Sequence, residues 1–238
     1  MTAWVSRENS IERLRITISK ENYLKAIAEA EAEGEAVIAA TLKRWLRVSA
    51  PAVTMATRRL VRDGLIRVAP NGHITLTTAG ADIANRLLYR HHLIERMLAE
   101  VFGMEWYKIH DEAEQMEHAI SADFERLLGE KLGGAGPCPH GSPLQLETAA
   151  QRRARGLKPL VELNGRGIVE YVFERDRPLL EYLDGLGIRP HGKVEHRAPA
   201  PGLEAGNGRG LAAVEVMVEG EPRSVDPAAA HRVWVRPV

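Results

Sequence analysis

The chain has 238 residues, 45% apolar and 27% charged, enough to bury a sizeable core and ordinary for two or three small globular domains. No apolar run approaches the ~18 residues of a membrane span, and the N-terminal residues lack a signal peptide's apolar core. A single cysteine, Cys138, excludes an intrachain disulfide and leads one to expect a reducing cytoplasmic location.

Ile11, Leu14, Ile16 and Ile18 form an apolar lead-in. A helix is then predicted from about Ser19, as N-cap, to Ala32, with Tyr23, Leu24, Ile27 and Ala30 at helical spacing. Gly34 breaks it. Val37–Trp45 reads as a second helix with Ile38, Leu42 and Trp45 on one side. Ser49 and Pro51 open a third over Ala52–Asp63, with Val53, Ala56, Leu60 and Val61 inward and Gly64 as its stop. Leu65–Ala69 and His73–Thr77 flank Asn71-Gly72, the signature of a hairpin. Helix, helix, turn, helix, hairpin is the outline of a winged helix-turn-helix. Between Lys43 and Arg67 there are seven basic residues and one acid, Asp63, the local excess that meets phosphate.

Thr78 is expected to cap a long amphipathic helix ending near Phe102–Gly103, followed by a second from about Trp106 to Leu128; such faces suit helix packing and dimerisation. Gly133–Pro143 reads as loop, and residues 144–160, with the basic run Gln151–Arg155, as a polar linker. Beyond it Gly167–Phe173, Leu211–Val218 and Val233–Val235 alternate as strands, Pro178–Leu186 is a short helix, and Arg197–Gly210 is a Pro- and Gly-rich loop. The expected class is α+β: a winged helix-turn-helix over 1–80, a helical metal-binding and dimerisation domain over 81–143, a linker over 144–160, and a small SH3-like β-barrel over 161–238.

The zero net charge is a sum of opposites. Residues 1–90 carry 14 Lys and Arg against 9 Asp and Glu, and the remainder 18 against 23. Within the acidic part, His110, Glu114, Glu117 and His118 fall at i, i+4, i+7 and i+8, and His91 and Glu95 at i, i+4. On a helix each set shares a face, and imidazole with carboxylate suits a divalent transition metal. Metal ligands behind a basic reading helix point to a metal-sensing transcription factor. Two alternatives use the same residues: a metal-independent winged-helix regulator, and a dinuclear metal hydrolase. No nucleophile, phosphate loop or acid/base dyad accompanies the cluster, so no catalytic residue is expected.

The segments Glu21–Ile27, Val48–Thr54, Arg62–Ile66, Leu76–Gly80, Arg90–Glu95 and Lys108–His118 resemble the metal-dependent repressors of the diphtheria-toxin-repressor type (the DtxR/MntR family) over nearly the whole chain. Leu183–Pro190 is similar to the FeoA-like, SH3-fold domain that closes many members. The resemblance implies a homodimer on a double-stranded DNA operator, acting in metal homeostasis. It implies a primary metal site of Glu114, Glu117 and His118 with Asn22, and an ancillary site of His91, Glu95 and His110 with Glu174. Iron-responsive members place Cys at position 114 and manganese-responsive members Glu, so Mn2+ is expected ahead of Fe2+. Asn22, where Asp is expected, and Lys25, where some members have Glu, depart from the manganese pattern. Arg177 falls near where iron-type members supply a Gln. By the same resemblance Ser49, Pro51, Ala52, Thr54 and Met55 face the major groove. Arg44, Arg47, Arg58 and Arg59 are assigned to phosphates, which position without specifying sequence. His92 is expected to be structural or exposed. Cys138 and His140, as two loop ligands, are expected not to hold metal.

Overall fold

A computed structural model of the chain describes residues 16–134, 136–143, 145–196 and 213–238. The chain forms two compact units, Met1–His91 and His92–Val238. The expected lead-in at Ile11 and Leu14, the whole Arg197–Gly210 loop and the start of the Leu211 strand lie outside the described residues. Among those described, no helix is long and apolar enough to cross a membrane.

The first unit packs α1 (Ile18–Ala32), α2 (Ala39–Leu46) and α3 (Ala50–Arg62) around Leu24, Ile27, Leu42, Val53, Leu60 and Leu65. Thr17, not Ser19, caps α1: its hydroxyl accepts from the Lys20 amide at 3.4 Å. Ser49 caps α3, with Pro51 in the first turn, where a missing N–H costs nothing. Val61, expected inward, is 44% exposed, because the inward stripe passes through Val53 and Leu60. The wing is the antiparallel pair β1 (Ile66–Val68) and β2 (Ile74–Leu76), in register Arg67 with Thr75. Its turn places Gly72 at φ +82, and the Asn71 side chain accepts from the His73 amide. Thr77, one residue earlier than expected, caps α4 (Thr78–Glu100): its hydroxyl accepts from the Gly80 amide and donates to the Gly64 carbonyl.

In the second unit the single helix expected over Trp106–Leu128 is two, α5 (Ile109–Met116) and α6 (Ala122–Lys131). Ser121 restarts the helix by accepting from the Phe124 amide, a local bond that competes with helix continuation. The expected linker contains α7 (Ala149–Ala154), opened by a reciprocal capping box between Thr148 and Gln151. Its basic run is solvated only in part: Arg153 and Arg155 are exposed. Arg152 is buried, its guanidinium 4.1 Å from the centre of the Tyr171 ring and 5.2 Å from that of Trp234.

Six antiparallel strands follow: β3 (Lys158–Pro159), β4 (Arg166–Val172), β5 (Lys193–His196), β6 (Val214–Val218), β7 (Glu221–Val225) and β8 (Val233–Pro237), in the order β3-β8-β4-β5-β6-β7. The sheet is SH3-like but open, since β3 and β7 are not paired with each other among the described residues. Helices α8 (Arg177–Gly185) and α9 (Pro227–Ala230) cover it. Trp106 and Tyr107, between α4 and α5, pack against its core of Val169, Leu180, Leu183, Val216 and Val233.

Candidate metal centre and nucleic-acid interface

Three elements of the second unit converge on one dry cluster. Helix α4 supplies His92 and Glu95, α5 supplies His110, and the residue pair after β4 supplies Glu174; all four are buried. His110 Nδ1 lies 3.3 Å from Glu95 Oε1 and 4.0 Å from Glu174 Oε1. The loop over 136–143 adds His140, whose Nδ1 is 3.4 Å from Glu95 Oε1 and 3.6 Å from Glu174 Oε2, and Cys138, whose Sγ donates to Glu174 Oε2 at 3.3 Å. Donor atoms of Glu95, His110 and Glu174 lie within 4.8 Å of one another, as do those of His92, Glu95, Cys138 and Glu174. One turn earlier on α4, His91 is buried as well.

The loop is held by its backbone. The His140 carbonyl accepts from the Val172 amide, and the Cys138 amide donates to the Ser142 carbonyl, each at 2.9 Å. Gly141 sits at φ +86 against β4, where a Cβ would fall 1.8 Å from the Glu170 carbonyl oxygen. Only glycine fits that approach.

Two carboxylates in a dry pocket require positive charge beside them. Burial alone would push the His140 imidazole down, but Glu95 and Glu174, helped by the Trp106 carbonyl, outweigh it and hold its pKa above the usual value. Its Nε2 bonds the Trp106 carbonyl at 2.9 Å, leaving Nδ1 to the carboxylates. A histidine ligand fixed through its other nitrogen by a carbonyl is the arrangement of metal sites. Burial, then the charges of Glu174 and Glu95, push the Cys138 thiol well above its ordinary pKa, so it holds its proton until a cation displaces it. Oxygen, nitrogen and sulfur donors around a buried negative charge fit a divalent cation.

The residues expected as the primary set fall differently. Glu114 lies on α5, while Glu117 is its C-cap and His118 stands in the following turn, so the four-residue helical face ends at Met116. His118 Nε2 is 3.6 Å from Glu117 Oε1, and Glu117 is buried. Glu114 Oε1 is 3.6 Å from His110 Nε2 and 2.9 Å from the Arg175 guanidinium. Asn22 lies half-buried on α1 of the first unit. Buried Lys25 of the same helix has its Nζ 3.0 Å from His91 Nδ1. Arg177 binds Glu181 at 2.9 Å and Asp111 at 3.5 Å.

The structure thus brings together Glu95, His110 and Glu174, three of the residues expected in the ancillary set, and places beside them His92, Cys138 and His140, which were not expected there. His92, expected to be structural or exposed, is buried. The Cys138-Pro-His140 spacing was the available signal. It gains weight only when Glu95 and Glu174, 43 residues before and 36 after Cys138, stand beside it.

On the first unit, Ser49, Pro51, Thr54 and Met55 are exposed on α3 and Ala52 is half-buried. The Ser49 hydroxyl is engaged in the cap, and the Thr54 hydroxyl donates to the Ala50 carbonyl at 3.1 Å. Arg47, Arg58 and Arg59 are exposed; Arg47 closes α2 in the left-handed conformation at φ +52. Arg44 is tied to Glu35, which also accepts from the Trp45 indole at 3.1 Å.

Residues 15–74 match the model described as the iron dependent repressor N-terminal DNA binding domain, and residues 77–145 the iron dependent repressor metal binding and dimerisation domain. The iron-dependent repressor IdeR of Mycobacterium leprae is 40% identical over 188 residues, covering 73% of this chain and 81% of that protein. The diphtheria toxin repressor of Corynebacterium diphtheriae is 36% identical over 124 residues, 52% of this chain and 55% of that protein. A solved manganese-dependent transcriptional repressor in complex with manganese superposes with a TM-score of 0.77 at 26% identity, over 92% of this chain and 100% of that one. With a DNA-binding head, a metal-binding and dimerisation domain and an SH3-like sheet in one order, the chain belongs to the diphtheria-toxin-repressor (DtxR/MntR) family of metal-dependent, DNA-binding transcriptional repressors, whose members are not enzymes.

Proposed function

We propose that this protein is a cytoplasmic, manganese-activated repressor of metal-homeostasis genes that binds a double-stranded operator as a homodimer, with Fe2+ as the competing metal. The observation that carries the metal dependence is the buried cluster of Glu95, His110, Cys138, His140 and Glu174, a donor set whose negative charge calls for a cation. On this reading it is the ancillary centre, with His91 and His92 at its edge.

Glu114, Glu117 and His118, with Asn22, form the primary centre. Hard oxygen and nitrogen donors there favour manganese, whereas the soft Cys138 sulfur belongs to the ancillary centre. When bound, the metal would supply positive charge shared by Glu114, Glu117 and His118, drawing them into a single ligand set that favours the DNA-binding arrangement. The paired heads are then held about 34 Å apart, the spacing of successive major grooves. The domain ranges 1–80, 81–143 and 161–238 serve as reader, sensor and dimer interface, and SH3-like cover. Exposed apolar side chains within the domain matched as dimerising, Phe102 at 68% and Val101, Phe124 and Leu127 beside it in kind, support a second copy as partner.

The test is fluorescence anisotropy of metal-stripped protein on its own upstream DNA at fixed salt, titrated with Mn2+, anaerobic Fe2+ and Zn2+, with a chelator control. Tightening by Mn2+, reversed by chelator and abolished in Glu117→Ala, is expected. Stronger tightening by Fe2+ would overturn the choice of metal, and metal-independent binding would make the clusters structural.

A further inference from the structure

Arg175 follows Glu174 directly, so one dipeptide sends a carboxylate into the ancillary cluster and a guanidinium to Glu114. The guanidinium is only 16% exposed and sits 2.9 Å from Glu114 Oε1, the same oxygen that lies 3.6 Å from His110 Nε2. We propose that Arg175 is a built-in counter-cation for Glu114, occupying the carboxylate in the metal-free protein, and that a metal ion must displace it. The proposal rests on Glu114 being a primary-site ligand.

The chemistry favours competition over coexistence. A guanidinium cannot shed its proton at any pH a protein tolerates, so it leaves Glu114 only by moving. If it stayed, it would place a full positive charge a few ångströms from a divalent ion, in a setting drier than bulk water, where like charges repel strongly. Neutralising Glu114 without metal also relieves the crowding of acids at the end of α5. Arg175 thereby sets the metal concentration at which the sensor responds: too little metal leaves the arginine in place. Arg177 is a natural control. It carries the same charge two residues on, but pairs with Glu181 and Asp111, not with Glu114.

The experiment is isothermal titration of Mn2+ into the metal-free full-length protein, without DNA, for wild type, Arg175→Gln, Arg177→Gln, Glu114→Gln and the Arg175→Gln/Glu114→Gln double variant. Arg175→Gln is expected to tighten manganese binding about ten-fold relative to Arg177→Gln, since it removes a competitor as well as a charge. In the Glu114→Gln background the effect of Arg175→Gln is expected to vanish. Equal effects of the two arginine variants, or weaker binding in Arg175→Gln, would overturn the proposal. Wild-type manganese binding by Glu114→Gln would instead sink the assignment of Glu114 as a ligand. Should Arg175→Gln fail to fold, Arg175→Lys, which loses the forked donor, is expected to tighten binding by a few-fold, and no tightening would count against the proposal.

Discussion

Charge inside the second unit is only partly offset around its buried acids. Glu95 and Glu174 are kept in a dry pocket by His110 and His140 on one side and by the protonated Cys138 on the other. Replacing Cys138 by Ser removes a donor that can become a thiolate. The fold is expected to survive, while calorimetry should show the buried cluster's metal affinity falling about ten-fold or more; unchanged affinity would exclude sulfur as a ligand. In the first unit Asp63 accepts from Lys20 at 2.9 Å, a bond that, against some burial and with help from Arg62, holds its carboxyl below the ordinary range. A depressed folded pKa stabilises above the unfolded value, near ~3.9, and that contribution is lost as pH falls through the folded one. Asp63→Asn is therefore expected to cost about 1 kcal/mol in urea unfolding at neutral pH. The cost should fade in acid, and a cost independent of pH would mean the carboxylate charge is not its source.

At the scale of elements, the buried cluster depends on a loop as well as on helices α4 and α5. The 136–143 segment is fastened to β4 through the His140 carbonyl and the close approach at Gly141. Gly141→Ala meets both a positive φ and a carbonyl 1.8 Å from its Cβ, so the loop must lift away from the strand. Loss of metal binding comparable to a double change of Cys138 and His140, with the N-terminal unit's stability unaltered, is expected by calorimetry and thermal melting. The α5–α6 break has a similar logic. Ser121 offers a cap just where Glu117 and His118 must leave the helix, so these two are set by a turn rather than by periodicity.

For the whole molecule, two bindings are linked: by thermodynamic necessity, DNA must tighten metal by the factor with which metal tightens DNA. The DNA term itself should be mostly electrostatic. Arg58 and Arg59 are exposed on α3, and each Ala substitution is expected to lower the slope of log affinity against log salt by about 1. Arg44→Ala is expected to change it less, because Glu35 already holds that guanidinium. A full-unit drop for Arg44 would show that DNA displaces Glu35.

The sequence by itself determined the winged head, the order of the units and the family, because these rest on local codes: the Ser49 cap with Pro51, the Asn71-Gly72 turn, the helical stripe through Leu24 and Ile27. It also marked Glu95, His110 and Glu174 as companions through the resemblance. What only the tertiary structure decided depends on residues far apart in the chain. Whether Cys138 and His140 are idle loop residues or cluster members turns on a loop pressed against β4, and whether Arg152 is solvated or buried turns on Tyr171 and Trp234. The openness of the sheet and the ion pair of Arg175 with Glu114 are of the same kind. Burial and long-range pairing have no local period, and so leave no trace that spacing alone can read.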